Sequence, residues 1–330
     1  MKVKLFTEGG KNIGFGHITR CLSLCEAFEE KGGTCLFVIK GGKEVQALLN
    51  KPLKLLDWVE NLDAFEEELK DVDALIIDSY LAKREHYELA CKRVKRCLFV
   101  DDFNRLEYPC GLVLNGSVYA HELEYPKKEG VSYLLGTEYI PLRRAFWHVE
   151  EKEIKDEVKR ILITFGGDDS KGMSLRIVKM LEENFPEVEK LVVVGAGFKE
   201  KERLYSFASE RLRLYENLSA EEMKNLMLSA DLAISAGGQT TYELARVGLP
   251  AVLVAVAENQ LLNCKSWERE GFAIWAGWWE DKNLEERIRE ALLLLWSKKE
   301  RLVRHYAGRR LVDGKGAIRA VEELLDYTLA

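Results

Sequence analysis

VKLFTEGGKNIGFGHITRCLSLCEAFEEKGG, residues 3–33, sets the fold class. Val3 to Thr7 (VKLFT) reads as a short buried strand, and Ile18 to Gly33 has helical periodicity ending in glycines, so GFGHITR between them joins strand to helix. Gly14 and Gly16 can place amide groups beside a ligand at the helix N-terminus, where unpaired amides and the helix dipole favour an anion. The turn lacks the third glycine of a dinucleotide fingerprint, since the chain continues to Thr19. CLFVIK (Cys35 to Lys40) also ends without the acid that would grip a ribose. NAD is therefore not expected, and no GK[ST] triplet announces a P-loop.

The pattern restarts at RILITFGG (Arg160 to Gly167), which answers VKLFTEGG as a strand running into glycines. Further strand candidates are ALIID (Ala74 to Asp78), CLFVD (Cys97 to Asp101), KLVVVG (Lys190 to Gly195), LAIS (Leu232 to Ser235) and AVLVA (Ala251 to Ala255), with helical segments between most of them. Alternating strands and helices predict an α/β protein of two Rossmann-like, doubly wound domains. Two such sheets facing one another would leave a cleft at the carboxyl ends of their strands. The charged stretch HVEEKEIKDEVK (His148 to Lys159) is read as the connector, giving domains 1–148 and 149–330. Two closing helices are expected over 284–296 and 315–329, and the last is a candidate to pack back on the N-terminal domain.

A chain of 330 residues with 47% hydrophobic content can bury two separate cores. Its 49 basic and 55 acidic residues leave a formal charge of -6, which gives no general electrostatic reason to bind nucleic acid or acidic membranes. The sequence starts on a strand pattern with no signal peptide, and no apolar run has the length of a membrane span, so a cytoplasmic monomer is expected. The seven cysteines, Cys21, Cys25, Cys35, Cys91, Cys97, Cys110 and Cys264, are scattered. Cys21 and Cys25 share a helix face, but no second pair of thiols or histidines stands at zinc-like spacing, so buried free thiols are the default. His86, His121, His148 and His305 lie in charged or loop surroundings and read as solvated.

The second half carries SAGGQTTYELARVGLPAVLVAVAENQ (Ser235 to Gln260). A strand ends at Ser235, Gly237 and Gly238 follow, and a helix starts near Gln239 or Thr240. Backbone amides and hydroxyls at Gly238, Gln239, Thr240 and Thr241 can hold a diphosphate with help from the helix dipole. Glu243 does not belong beside that anion, but one turn along it can accept hydrogen bonds from both hydroxyls of a ribose. The simpler alternative is that Glu243 complements the helix N-terminus.

In this order the motifs resemble the UDP-sugar hydrolases of pseudaminic acid biosynthesis, which look like nucleotide-sugar glycosyltransferases of the two-domain GT-B class. The resemblance runs through GFGHITRCLSL, IDSY (Ile77 to Tyr80), VDD (Val100 to Asp102), LLGTEYIPLRRAF (Leu134 to Phe146), FGGDD (Phe165 to Asp169), AGGQTTYEL and Glu258-Asn259-Gln260. One departure stands in DDSKGMS (Asp168 to Ser174), where Gly172 occupies a place that the family often gives to asparagine.

The resemblance implies a GT-B arrangement with its active site in the interdomain cleft. It also implies hydrolysis of a UDP-linked 2,4-diacetamido-2,4,6-trideoxy sugar by water attack at C1, with inversion and loss of UDP. His17 is then the general base, a role suited to an imidazole near neutral pH. Arg20, Asp78, Tyr80, Asn259 and Gln260 are implied to line the sugar pocket or orient His17. UDP-sugar and UDP are the expected ligands, with no cofactor and no catalytic metal. Two other readings share these donor motifs: a glycosyltransferase whose nucleophile is an acceptor hydroxyl, and a non-catalytic sugar-nucleotide binding module, which would have no need of His17.

Overall fold

A computed structural model describes the chain except residues 11–13, 48, 168, 196, 199–200, 208–209 and 328–330. It divides into two compact units, Met1–Arg144 with Gly314–Ala330, and Ala145–Asp313.

The first unit runs β1 (Lys2–Glu8), α1 (Gly16–Glu30), β2 (Thr34–Lys40), β3 (Leu53–Leu55), α2 (Leu62–Glu68), β4 (Ala74–Asp78), α3 (Arg84–Arg93), β5 (Cys97–Val100), β6 (Gly111–Asn115) and β7 (Val131–Leu135). Its seven strands are parallel in the order β3-β2-β1-β4-β5-β6-β7. The chain leaves β1 to one side for β2 and returns on the other for β4, so the strand order reverses between β1 and β4. Ligands of open α/β sheets bind at the carboxyl edge of such a point. The Cα register there pairs Thr7 with Asp78. Below this edge lies an apolar core in which Phe6 meets the edges of Trp58 and Phe65 at 5.4 and 4.8 Å between ring centroids.

The second unit runs β8 (Arg160–Thr164), α4 (Met173–Asn184), β9 (Glu189–Val194), α5 (Lys201–Tyr205), β10 (Leu212–Glu216), α6 (Ala220–Ser229), β11 (Leu232–Ala236), α7 (Thr240–Val247), β12 (Ala251–Ala255), α8 (Leu261–Arg269), β13 (Ala273–Trp278), α9 (Leu284–Leu295) and α10 (Lys298–Leu311). Its six strands are parallel in the order β10-β9-β8-β11-β12-β13, reversing between β8 and β11. The final helix α11 (Gly316–Asp326) packs on α1 of the first unit.

The strands absent from the sequence reading are β3, β6, β7, β10 and β13. Of these, β3 has three residues, β10 alternates polar and apolar, and β13 is broken by Gly277 beside a register shift. Helix α10 is hidden for a different reason, half of its residues being charged. The stretch 148–159, expected to connect the halves, is irregular and fastened to the second unit, where Arg301 donates to the carbonyls of Lys155 and Asp156 at 2.9 and 2.8 Å.

Two expectations about polar side chains fail. His86 and His305 are buried, because each sits on the packed face of its helix and meets a backbone carbonyl, Val59 at 3.1 Å and Gly248 at 2.8 Å. Cys91 and Cys110 form a disulfide across Cα atoms 6.0 Å apart, while the other five thiols are free and buried. The pairing joins α3 to the approach to β6, a tertiary proximity that no local spacing announces. With 19 residues of sequence separation, such a bridge contributes ~3 kcal/mol by loop-closure entropy. Replacing both cysteines by serine should therefore cost ~2–3 kcal/mol in urea unfolding. Alkylation of the unreduced, denatured chain should label five thiols; labelling of seven would contradict the bridge.

Candidate active site

Helix α1 starts directly on the exposed Gly16 with no side-chain cap, so the amides of Gly16, His17 and Ile18 have no partner within the helix. A Cβ at Gly14 or Gly16 would meet nothing within 4 Å. Gly14 adopts φ +82, and its N–H donates to the Gly10 carbonyl at 2.8 Å. Its amide is thus spent inside the turn, and what Gly14 offers is open space. The glycine that packing demands here is Gly9, where a Cβ would lie 2.3 Å from Ile18 Cδ1.

The first turn of α1 lays His17 and Arg20 across the ends of β4 and β5. His17 Nδ1 lies 2.7 Å from Asp78 Oδ1, both side chains being buried. The Arg20 guanidinium donates twice to Asp78, from Nε and Nη2 at 2.7 Å each, and twice to Asp102, from Nη1 at 2.7 Å and Nη2 at 3.1 Å. The Tyr80 hydroxyl donates to Asp102, and its ring stands edge-on to His17 at 4.4 Å. Of the sequence candidates, His17, Arg20, Asp78 and Tyr80 therefore form one hydrogen-bonded cluster.

Electrostatics fix the protonation pattern. Burial alone would raise the pKa of Asp78, but the charges and hydrogen bonds of Arg20 and His17 more than offset it and hold the carboxyl well below the usual range. An ionised carboxylate only accepts, so the shared proton sits on Nδ1 of His17. Among the described residues Nε2 has no hydrogen-bond partner, and in the neutral ring it carries the lone pair. For His17, burial favours the neutral ring, but the charge of Asp78 and the hydrogen bond to it prevail and raise the pKa above 6.5. The stability His17 contributes is complete below pH ~6.5 and fades as pH climbs through its raised folded value. That of Asp78 is complete above its unfolded value and is lost as pH falls.

Residues outside the candidate list brace the cluster. Glu8, at the end of β1, accepts from the Ser79 hydroxyl and from the Tyr80 amide at 2.8 Å, while Arg105 donates to the carbonyls of Ser79 and Ala82 at 3.1 and 2.9 Å. Asp101 turns away from Asp102 and accepts from the Asn104 amide at 2.7 Å and the Tyr125 hydroxyl at 2.6 Å. Beside the polar cluster the surface is apolar: Tyr80, Leu81 and Phe103 are 41, 42 and 40% exposed, with the two rings 6.0 Å apart.

In the second unit, β11 ends in the turn that starts α7. Gly237 donates its amide to Val254 at 3.1 Å, and a Cβ there would lie 2.2 Å from Cys264 Sγ, so this glycine serves packing. The Thr241 hydroxyl donates to the Gly238 carbonyl at 2.7 Å and accepts from Asn263 Nδ2 at 3.1 Å and Trp267 Nε1 at 2.9 Å. One donor and two lone pairs are thereby used, so Thr241 holds the turn and has nothing left for a diphosphate. Gly238, Gln239 and Thr240 lead the helix with N–H groups that have no carbonyl four residues back inside it, and Gln239 is exposed.

Gln260 stands beside the same turn, its Nε2 3.7 Å from where a Gly238 Cβ would lie and its Oε1 accepting from the Val256 amide at 3.0 Å. Asn259 is exposed, and Glu243 is buried on the first turn of α7. Asn263, absent from the sequence candidates, ties the turn together by also donating to the Gly237 carbonyl at 2.8 Å and accepting from Tyr242 at 2.7 Å. In the FGGDD stretch, Asp168 lies outside the described residues. Asp169 closes the N-terminus of α4, accepting from the amides of Met173 and Ser174 at 2.9 and 2.8 Å beside Gly172 at φ +66.

Residues 161–313 match the glycosyltransferase family 28 C-terminal domain. The spore coat polysaccharide biosynthesis protein SpsG of Bacillus subtilis is 26% identical over 340 residues, which cover 99% of this chain and 98% of that protein. The pseudaminic acid cytidylyltransferase and UDP-2,4-diacetamido-2,4,6-trideoxy-beta-L-altropyranose hydrolase of Helicobacter pylori is 28% identical over 274 residues, covering 82% of this chain and 47% of its own length. The chain thus matches about half of that longer protein. The crystal structure of Acinetobacter baumannii MurG has the same two-domain fold, with a TM-score of 0.67 and 16% identity over 98% of this chain and 99% of that one.

Removing Arg20 leaves Asp78 and Asp102 buried without their common counter-ion, a change that costs ~3–5 kcal/mol when one partner of a buried ion pair is lost. Urea unfolding of Arg20→Met at pH 7 should show that loss. A change below ~1 kcal/mol would contradict the central role given to the guanidinium.

Proposed function

We propose that the protein hydrolyses a UDP-linked 2,4-diacetamido-2,4,6-trideoxy sugar to free sugar and UDP by attack of water at C1. The observation that carries this reading is the buried Asp78–His17 pair, which leaves Nε2 as a base at the carboxyl edge of β1 and β4. The Helicobacter relative, whose name includes such a hydrolase, supports the choice of sugar. The exposed Tyr80, Leu81 and Phe103 suit a sugar bearing a deoxy carbon and acetamido methyls.

In this mechanism the His17 imidazole takes a proton from water as its oxygen bonds to C1, and the bond from C1 to the bridging oxygen breaks with inversion. Asp78 stabilises the imidazolium that forms, and Arg20 keeps Asp78 ionised. A well-placed general base contributes ~10²–10⁴-fold. UDP is a good leaving group and needs charge stabilisation more than a proton. The leading amides of α7, with Gln260 beside them, supply it. Glu243 accepts from the ribose hydroxyls. The glycosyltransferase alternative keeps the same donor contacts and is favoured by the family 28 match, which covers the second unit.

Acceptor-free incubation separates the two readings. UDP should be released without any alcohol, and in ¹⁸O-water the label should enter the sugar and not the UDP. Release that waits for an acceptor would assign the chain to transfer, and labelled UDP would rule out attack at carbon. The rate should rise with pH through the raised His17 pKa, placing the acid limb above 6.5; a rate that falls over that range would contradict a base. Glu243→Ala should weaken UDP binding by ~2–4 kcal/mol, the cost of two hydrogen bonds to a charged acceptor. An unchanged dissociation constant in calorimetry would return Glu243 to capping its helix.

A further inference from the structure

Helix α1 carries a second cluster, separate from the one at its N-terminus. Cys25 is eight residues beyond His17, about 12 Å along the axis, and faces Cys35 on the neighbouring strand β2. Both thiols are buried, and Cys35 Sγ donates to the Cys25 carbonyl at 3.5 Å. Glu29, one turn after Cys25 and half-exposed, brings a carboxylate oxygen to the same place. The two sulfurs and this oxygen all lie within 4.8 Å of one another. Lys51, two residues before β3, donates to Glu29.

We propose that Cys25, Cys35 and Glu29 form a site for a single thiophilic divalent cation of the zinc class, with water as the fourth ligand. Zinc–sulfur bonds of ~2.3 Å and zinc–oxygen bonds of ~2.0–2.2 Å set tetrahedral edges of about 3.5–3.8 Å. The three ligand atoms lie within 4.8 Å of one another, so small rotamer adjustments of these side chains must close the remaining gap to those edges. Charge also balances: two thiolates and a carboxylate carry three negative charges, and one divalent cation with the Lys51 ammonium cancels them. Two sulfur donors favour zinc or cadmium over hard cations such as magnesium. Bound metal would join α1 to β2 directly.

Binding replaces thiol protons. Each thiol that ligates gives its proton to solvent, and with two lost per cation the affinity should climb about a hundredfold per pH unit near neutrality.

The test is a cadmium titration of the full chain in oxygen-free buffer, followed by the thiolate-to-cadmium ultraviolet band. The proposal expects saturation at one equivalent, displacement by zinc but not by magnesium, and helical circular dichroism unchanged throughout. Cys35→Ser should weaken binding at least a hundredfold and Glu29→Gln, a change at the surface that leaves the fold intact, about tenfold. Cys21→Ser, which alters another buried thiol of the same helix, should leave it unchanged. The proposal is overturned by absence of a saturable band, by a band that survives Cys35→Ser or vanishes with Cys21→Ser, by an affinity independent of pH, or by loss of helix during the titration.

Discussion

A single guanidinium, buried between two carboxylates, holds the working edge of the first unit together. Arg20 comes from α1, Asp78 from β4 and Asp102 from just beyond β5, so its four hydrogen bonds tie a helix and two neighbouring strands of the sheet into one geometry. Burying such a charge is costly unless every donor finds an acceptor. Here the same contacts set the chemistry: they keep Asp78 ionised, which places the proton of His17 on Nδ1 and leaves Nε2 available. Stability and function therefore draw on the same atoms, and the tyrosine that borders the cluster is positioned by the second carboxylate.

The two units share a topology but furnish their edges differently. In the first, the helix after β1 starts on open glycine and supplies the imidazole, while β4 supplies the acid. In the second, the corresponding helix α4 is closed by Asp169, whose carboxylate occupies the amides that an anion would need. The exposed helix start lies instead after β11. There Thr241 and Asn263 are consumed in holding the turn, and Gln239, Thr240 and Gln260 stand around it. Reversal of strand order creates an edge with room for a ligand in both units. Which loop fills that room depends on which helix start is left uncapped.

Much of this could be read from the sequence, and for definite reasons. Strands buried on both faces appear as apolar runs such as ALIID and AVLVA, and a strand ending in glycines before a helix marks the turns that carry His17 and Gly238. Features requiring distant residues to meet left no local trace. Asp102 lies 82 positions from Arg20, Cys25 meets Cys35 across a helix and a strand, and the Cys91–Cys110 bridge joins segments with no characteristic spacing. The charged neighbours of His86 and His305 suggest solvent, whereas each ring points from its helix towards a backbone carbonyl. Thr241 presents the converse case. Its position suits a ligand, but its hydroxyl is already saturated.

The central claim, that an ionised Asp78 holds His17 with its proton on Nδ1 and raises its basicity, is most directly tested by a ¹⁵N NMR titration of the histidine-labelled protein, comparing the parent chain with Asp78→Asn. The account predicts a neutral His17 ring protonated at Nδ1 and a pKa above 6.5, falling when the carboxylate is replaced by an amide. A ring protonated at Nε2, or a pKa that does not move in Asp78→Asn, would contradict it.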